Sequence, residues 1–248
     1  MELQRLVGTM RKAVADYKMI KDGDKIAVGI SGGKDSVCLL QMLASYRRYS
    51  PEKFDLIAIT VDLCFGGKET DFSTIQALCD ELDVPYHIVR TQIGEIIFDA
   101  RKETNPCALC SKMRKGALYD KAVELGANKI ALGHHRDDLI DTFMLSTFYE
   151  GRLSTFAPKS YLDRTCLTLI RPLLYISEGD ITSYAKENLP IVINRCPADK
   201  NTKRQEIKDI IKSIDEKIPG VRSMLFTALT HPERYNLFDR YKDEIDKI

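Results

Sequence analysis

A short apolar strand, Lys25 to Ile30, runs directly into Ser31-Gly32-Gly33-Lys34-Asp35-Ser36, and the residues after it read as a helix beginning near Asp35. Glycine permits a sharp turn and a close backbone approach to an anion. The N–H groups of the helix start then point at that anion, with the helix dipole behind them. Ser31 and Ser36 add hydroxyls, and Lys34 adds a positive charge. Gly-Gly after a strand is also a plain turn. Strand, Gly-Gly-Lys and helix together favour a phosphate-binding loop over Gly29, Ile30, Ser31, Gly32, Gly33, Lys34, Asp35 and Ser36.

From there strands and helices alternate. Leu3 to Tyr17 carries helical periodicity ahead of the first strand, and Phe54–Val61, Val84–Val89 and Lys129–Leu132 read as further buried strands. Helices are expected over 70–82, 110–125 and 137–148, the second ending at Gly126. This order predicts an α/β fold with a parallel, doubly wound sheet, in which ligands gather beyond the carboxyl ends of the strands. Past about Arg195 the pattern becomes two helices, 202–216 and 221–229, around Ile218-Pro219-Gly220. The expected division is an N-terminal helix over 1–20, a main domain over 21–198 and a C-terminal helical tail over 199–248.

The loop is not the common nucleotide loop, which ends in Gly-Lys-Ser/Thr after four intervening residues. Ser-Gly-Gly-Lys-Asp-Ser instead resembles the PP-loop of the N-type ATP pyrophosphatases (adenine nucleotide α-hydrolase-like fold), which cleave ATP between the α and β phosphates. The resemblance implies that Thr60 and Asp62, ending the second strand, contact adenine and ribose. Asp35 beside the phosphates suits a magnesium-bound nucleotide, because the metal offsets the repulsion. Leu132-Gly133-His134-His135-Arg136-Asp137-Asp138 resembles the Gly-His-x-x-Asp-Asp segment of tRNA-thiolating members. Asp137 and Asp138 are therefore Mg2+ candidates, although either would also cap the following helix. His134 and His135 receive no role, since adjacent histidines rarely chelate one ion.

Seven cysteines is an odd count, and the composition is not that of a disulfide scaffold. Cys107-Ala-Leu-Cys110 enters a helix, where a thiol pKa is expected to fall, and Cys196 stands in a distant loop. Cys38, Cys64, Cys79 and Cys166 lie in or beside apolar stretches and are expected as core fillers. Two close thiols and one distant thiol admit a zinc site with a further ligand, a redox or persulfide pair, or a cubane cluster with one open iron.

Cys107-x-x-Cys110-Ser-Lys-Met-Arg114-Lys115-Gly116, then Ala131 to Asp138, then Cys196 ahead of Lys203-Arg204-Gln205, together resemble the TtcA family of tRNA 2-thiocytidine synthetases. Pro197 after Cys196 departs from the family's glycine, and no cysteine stands before Cys38 or after Cys196, where the related 2-thiouridine family carries zinc fingers. The resemblance implies ATP, Mg2+ and a [4Fe-4S] cluster as cofactors, with Cys107, Cys110 and Cys196 as cluster ligands. It implies that Arg114 and Gly133 join the ATP site and that Asp138 is catalytic. The implied reaction adenylates the C2 oxygen of a cytidine, at position 32 of the anticodon loop. Sulfur then replaces that oxygen through the cluster, with release of AMP and pyrophosphate. Lys34 and Arg114 would offset the charge that builds on the phosphates.

The implied partners are tRNA and a sulfur donor, either free sulfide or sulfur from a cysteine desulfurase; a homodimer is allowed. A net charge of +1, from 37 basic and 36 acidic residues, gives no global field for RNA. Local basic groups do flank the cysteines: Arg101-Lys102, Lys112 with Arg114-Lys115, Arg152, Lys159, Arg164, and Lys200 with Lys203-Arg204. No apolar run approaches the roughly 20 residues of a membrane span, and no secretory signal opens the chain, so a cytoplasmic protein is expected, with no membrane partner. Two alternatives stand beside this reading. One is another PP-loop tRNA-modifying enzyme, of the 2-thiouridine or lysidine type. The other is a non-catalytic module that senses ATP or redox state.

Overall fold

The computed structural model describes residues 2–97, 106–192, 196 and 203–235. The basic residues Arg101, Lys102 and Lys200, and Asn194, Arg195 and Pro197 beside Cys196, lie outside the described residues. The strands are β1 (Asp24–Ile30), β2 (Phe54–Asp62), β3 (Tyr86–Arg90), β4 (Lys129–Ala131), β5 (Lys159–Leu162) and β6 (Leu167–Ile170). The helices are α1 (Leu3–Asp16), α2 (Lys34–Arg47), α3 (Ser73–Glu81), α4 (Ile93–Glu95), α5 (Pro106–Glu124), α6 (Arg136–Glu150), α7 (Glu178–Asn188), α8 (Lys203–Lys217) and α9 (Val221–Thr230). Among the described residues no helix is long and apolar enough to cross a membrane.

The six strands form one sheet in the order β3-β2-β1-β4-β6-β5. All neighbours are parallel except β5, which pairs antiparallel with β6, Lys159 opposite Ile170 and Leu162 opposite Leu167. This hairpin departs from the all-parallel expectation. Four residues are too few to show a period, so only pairing with β6 defines β5 as a strand. Its turn leaves Cys166 exposed at φ 53°, which corrects the expected core role for that thiol. Cys38 and Cys79 are buried as expected, whereas Cys64 is only half-buried.

Two compact units make up the chain, one of residues 1–136 with 156–201 and one of residues 137–155 with 202–248. In the first, strand alternation gives each face its own set of side chains. Ala27, Ile57, Ile59, Ile130, Leu167 and Leu169 pack with Leu118 and Ala122 of α5. Helices α1, α2 and α7 are linked by packing through α2, which also lies on β1. The chain turns from β1 toward β3 on one side and returns to β4 on the other. The switch point is thus the crevice beyond the carboxyl ends of β1 and β4, where such sheets hold ligands. In the second unit, Ile140 and Met144 of α6 bury against Ile207 and Ile211 of α8, with Val221, Leu225 and Phe226 of α9 alongside. The C-terminal helices therefore have a core with α6.

Candidate active site

The loop after β1 is built as its residues require. Gly33 is the N-cap of α2, and no side chain caps it, so the first N–H groups of that helix are left for a ligand. Ser36 Oγ donates to the Gly33 carbonyl at 2.9 Å and accepts from the Ser31 N–H at 3.1 Å, which closes the turn on itself. Gly32 sits at φ +84°, and a Cβ there would meet Val192 at 2.9 Å. Gly29 and Ile30 lead into the turn. Both belong to β1; Ile30 is core, and a Cβ on Gly29 would lie 3.0 Å from Leu118 and from Leu132. Gly29 is thus a packing glycine that lets α5 approach the sheet.

Lys34 is engaged. Its Nζ lies 3.1 Å from Glu178 Oε1 at the start of α7 and 3.2 Å from Asp35 Oδ1. Burial alone would lower its pKa, but the two carboxylates more than offset this, and the pKa is raised. Buried His135 places Nε2 3.7 Å from the same Asp35 oxygen. Gly133 comes closer still to the loop. A Cβ on it would stand 2.9 Å from the Asp35 carbonyl and 3.0 Å from the Ser36 nitrogen, so the β4 loop lies directly on the first turn of α2.

Thr60 and Asp62 are buried and committed to their own chain. Thr60 Oγ1 accepts from the Tyr86 hydroxyl at 2.8 Å. Asp62 accepts from the Thr70 N–H at 2.8 Å, the Thr70 hydroxyl at 3.0 Å and the Cys64 N–H at 3.2 Å, which fixes the loop beyond β2. Both residues stand at the carboxyl end of β2, where the contacts to adenine and ribose are expected.

Cys110 is anchored beyond β2, packed with Leu109 and Met113 against Leu63, Ile93 and Ile97. Burial pushes the Cys110 thiol up, Arg114 one turn on pulls it down, and Cys196 and Cys107 push it up further. The expected lowering at a helix start is therefore overridden by desolvation and by the other two thiols. The same coupling places Cys107 and Cys196 each within electrostatic reach of Cys110. Among the described residues no three His, Cys, Asp or Glu side chains are close enough to hold one ion. In kind, three thiol donors with one cation beside them suit a thiolate-ligated cluster. The Val192 N–H donates to the Gly32 carbonyl at 3.0 Å, and Cys196 follows four residues later. Four extended residues reach at most about 14 Å, so the third thiol is tethered to the phosphate loop.

The second unit contains the paired aspartates. Asp137 accepts from Arg222 at 3.0 Å and Asp138 from Arg204 at 3.1 Å. Both sit in the first turn of α6, where acidic side chains suit the helix dipole. Fully buried Asp141, one turn on, has no hydrogen bond to either oxygen and lies 3.9 Å from Arg222. Burial pushes its carboxyl up to about 6, against the pull of Lys208, Arg222 and Arg204. Sequence reading found Asp137 and Asp138 but missed Asp141, Arg222 and Glu178. The i, i+3 and i+4 spacing of Asp141 from the pair was the one available signal for it.

Comparison with known proteins follows the same lines. A family model described as a PP-loop domain matches residues 4–213. A tRNA-cytidine(32) 2-sulfurtransferase of Pelobacter propionicus is 39% identical over 241 residues, covering 96% of this chain and 89% of the relative. One of Nitrosomonas europaea is 40% identical over 242 residues, covering 96% and 75%. Among solved structures, the U34-tRNA thiolase NcsA from Methanococcus maripaludis with its [4Fe-4S] cluster is similar at a TM-score of 0.72 and 25% identity, over 94% of this chain and 79% of that one.

Proposed function

The chain belongs to the tRNA-cytidine(32) 2-sulfurtransferases, a family of PP-loop proteins, and from that membership we propose that it thiolates cytidine 32 of tRNA at the expense of ATP. ATP lies with its phosphates over Gly32 to Ser36. The C2 oxygen of the cytidine attacks the α phosphorus, pyrophosphate leaves, and the base becomes an O-adenylyl intermediate. Sulfur then bonds to C2, and the C–O bond breaks so that the oxygen departs in AMP. Activation is needed because a carbonyl oxygen is a poor leaving group and a phosphate ester a better one. The tether from Gly32 through Val192 toward Cys196 carries this reading, because it links the adenylating loop to the thiols.

The residues divide the work by charge. The uncapped N–H groups of α2 and the Lys34 ammonium receive the phosphates and the departing pyrophosphate. Mg2+ bound to the phosphates is assigned to Asp35, with Asp137 and Asp138 as further candidates, since Mg2+ commonly takes one or two carboxylates plus phosphate oxygens. Cys107, Cys110 and Cys196 would hold a [4Fe-4S] cluster, which supplies an open metal position for sulfide. Arg114 offsets the thiolate charge beside Cys110 and is assigned to the α phosphate. Asp138, oriented by Arg204, is assigned to accept the proton that hydrosulfide loses as sulfur bonds to C2. The sulfur donor is free sulfide or a cysteine desulfurase.

Anaerobic reconstitution with iron and sulfide, then incubation with ATP, Mg2+, sulfide and unmodified tRNA, tests the proposal. Mass analysis of the digested nucleosides should find 2-thiocytidine, with AMP and pyrophosphate in equal amount. Thiouridine, a sulfur-free adduct or no pyrophosphate at all would sink it. Sulfane sulfur on the protein without stoichiometric iron would point to a persulfide enzyme instead.

A further inference from the structure

Ile130 and Leu132, and Leu167 and Leu169, lie on the α5 face of the sheet. Side chains alternate along extended chain, so His134, two past Leu132, and Arg171, two past Leu169, continue those rows beyond the carboxyl ends of β4 and β6. There the Arg171 guanidinium lies 4.8 Å over the Phe156 ring. The His134 ring stands 5.1 Å from that of Phe156 at an interplanar angle of 45°. Arg171 Nη1 donates to the Ala157 carbonyl at 2.5 Å, while its Nε is buried and makes no hydrogen bond. Burial disfavours the charge, and the group that offsets this is the Tyr119 hydroxyl rather than a carboxylate. A desolvated guanidinium with no acid beside it among the described residues is costly until an anion arrives.

We propose that Phe156 and Arg171, flanked by His134, form the seat of the nucleotide to be modified, the base stacking on these planes and its phosphate neutralising Arg171. The inference rests on the functional reading above and adds the residues that grip the substrate. Single-stranded RNA bases are held in this way, splayed out and stacked on aromatic rings or guanidinium planes. The location fits the chemistry. β6 is two strands from β1, about 10 Å at ordinary sheet spacing, and Gly133 beside His134 touches the loop's backbone. That separation is about one nucleotide, as transfer of AMP onto a base demands. Along the carboxyl edge the order is then the Cys110 anchor beyond β2, the phosphate loop beyond β1, and the base seat beyond β4 and β6.

Two experiments with the reconstituted holoenzyme decide it. A tRNA transcript carrying photoreactive 5-iodocytidine at position 32 is irradiated on the enzyme, and the adduct is mapped by peptide mass. An adduct on Phe156 or His134 is expected; one confined to other segments overturns the seat. In the second, Phe156→Leu should raise the KM for tRNA about tenfold or more, the loss expected of one stacked base. Phe156→Tyr should restore it, with ATP affinity and iron content unchanged in both variants. A Phe156→Leu enzyme with unaltered KM for tRNA, or with ATP binding and iron lost together, overturns the proposal. Wild-type enzyme that makes no 2-thiocytidine overturns the functional reading and this cytidine seat with it. Wild-type thiolation with the adduct elsewhere overturns the seat alone.

Discussion

The Lys34 ammonium is held 3.1 Å from Glu178, a carboxylate 144 residues away on α7, as well as by its neighbour Asp35. An incoming phosphate must share or displace these contacts. Glu178→Gln removes the competing charge and should tighten inorganic pyrophosphate binding several-fold, read by calorimetry. It should also slow turnover, because the lysine is less readily taken back from the product. Weaker pyrophosphate binding in Glu178→Gln would mean that Glu178 only orients Lys34.

Gly133 and Gly116 should respond in opposite directions to alanine. A methyl group on Gly133 meets the backbone of Asp35 and Ser36 at 2.9–3.0 Å, so α2 or the β4 loop must shift. Gly133→Ala should lower ATP affinity at least tenfold and reduce the thermal midpoint. Gly116 lies within α5 with nothing within 4 Å of its added Cβ. Gly116→Ala should stabilise the protein by about 0.5–1 kcal/mol, because glycine loses more backbone freedom in a helix than alanine does. Denaturant unfolding of the two variants beside wild type checks both signs.

Alanine at Cys107, Cys110 or Cys196 should each abolish thiolation and most of the bound iron while leaving ATP affinity intact. Cys166→Ser, at an exposed turn in the β5–β6 hairpin, should change neither. Iron and acid-labile sulfide, assayed anaerobically beside ATP binding, separate the sets. Full iron and activity in Cys196→Ala would remove it from the ligand set.

Asp141 carries a pH signature. Burial disfavours the anion and pushes its carboxyl up to about 6 in the folded protein, well above the ordinary aspartate value. The folded state therefore binds this proton more tightly than the unfolded chain does. The group's contribution to stability is full below about pH 4 and is lost as pH rises through about 6. Asp141→Asn should raise stability at pH 8 by on the order of 2 kcal/mol and flatten the dependence between pH 4 and 6. A melting profile of the variant that parallels wild type across that range would contradict the assignment.

What the chain's order of residues settled is what local physics settles. The apolar run before Ser31-Gly32-Gly33-Lys34 placed β1, the loop and α2 to within a residue, because strand burial, glycine turns and helix starts are written over a few positions. The helices α1, α5, α8 and α9 followed from periodicity. Spatial neighbours far apart in sequence were another matter. No local pattern links Lys34 to Glu178, Asp137 to Arg222, or Phe156 to Arg171, and the four-residue β5 takes its identity only from its partner strand. Residue type alone also misjudged Cys166 as core and Cys110 as a thiol eased toward its anion. Burial and neighbouring charge decide such matters, and both exist only once distant segments have packed together.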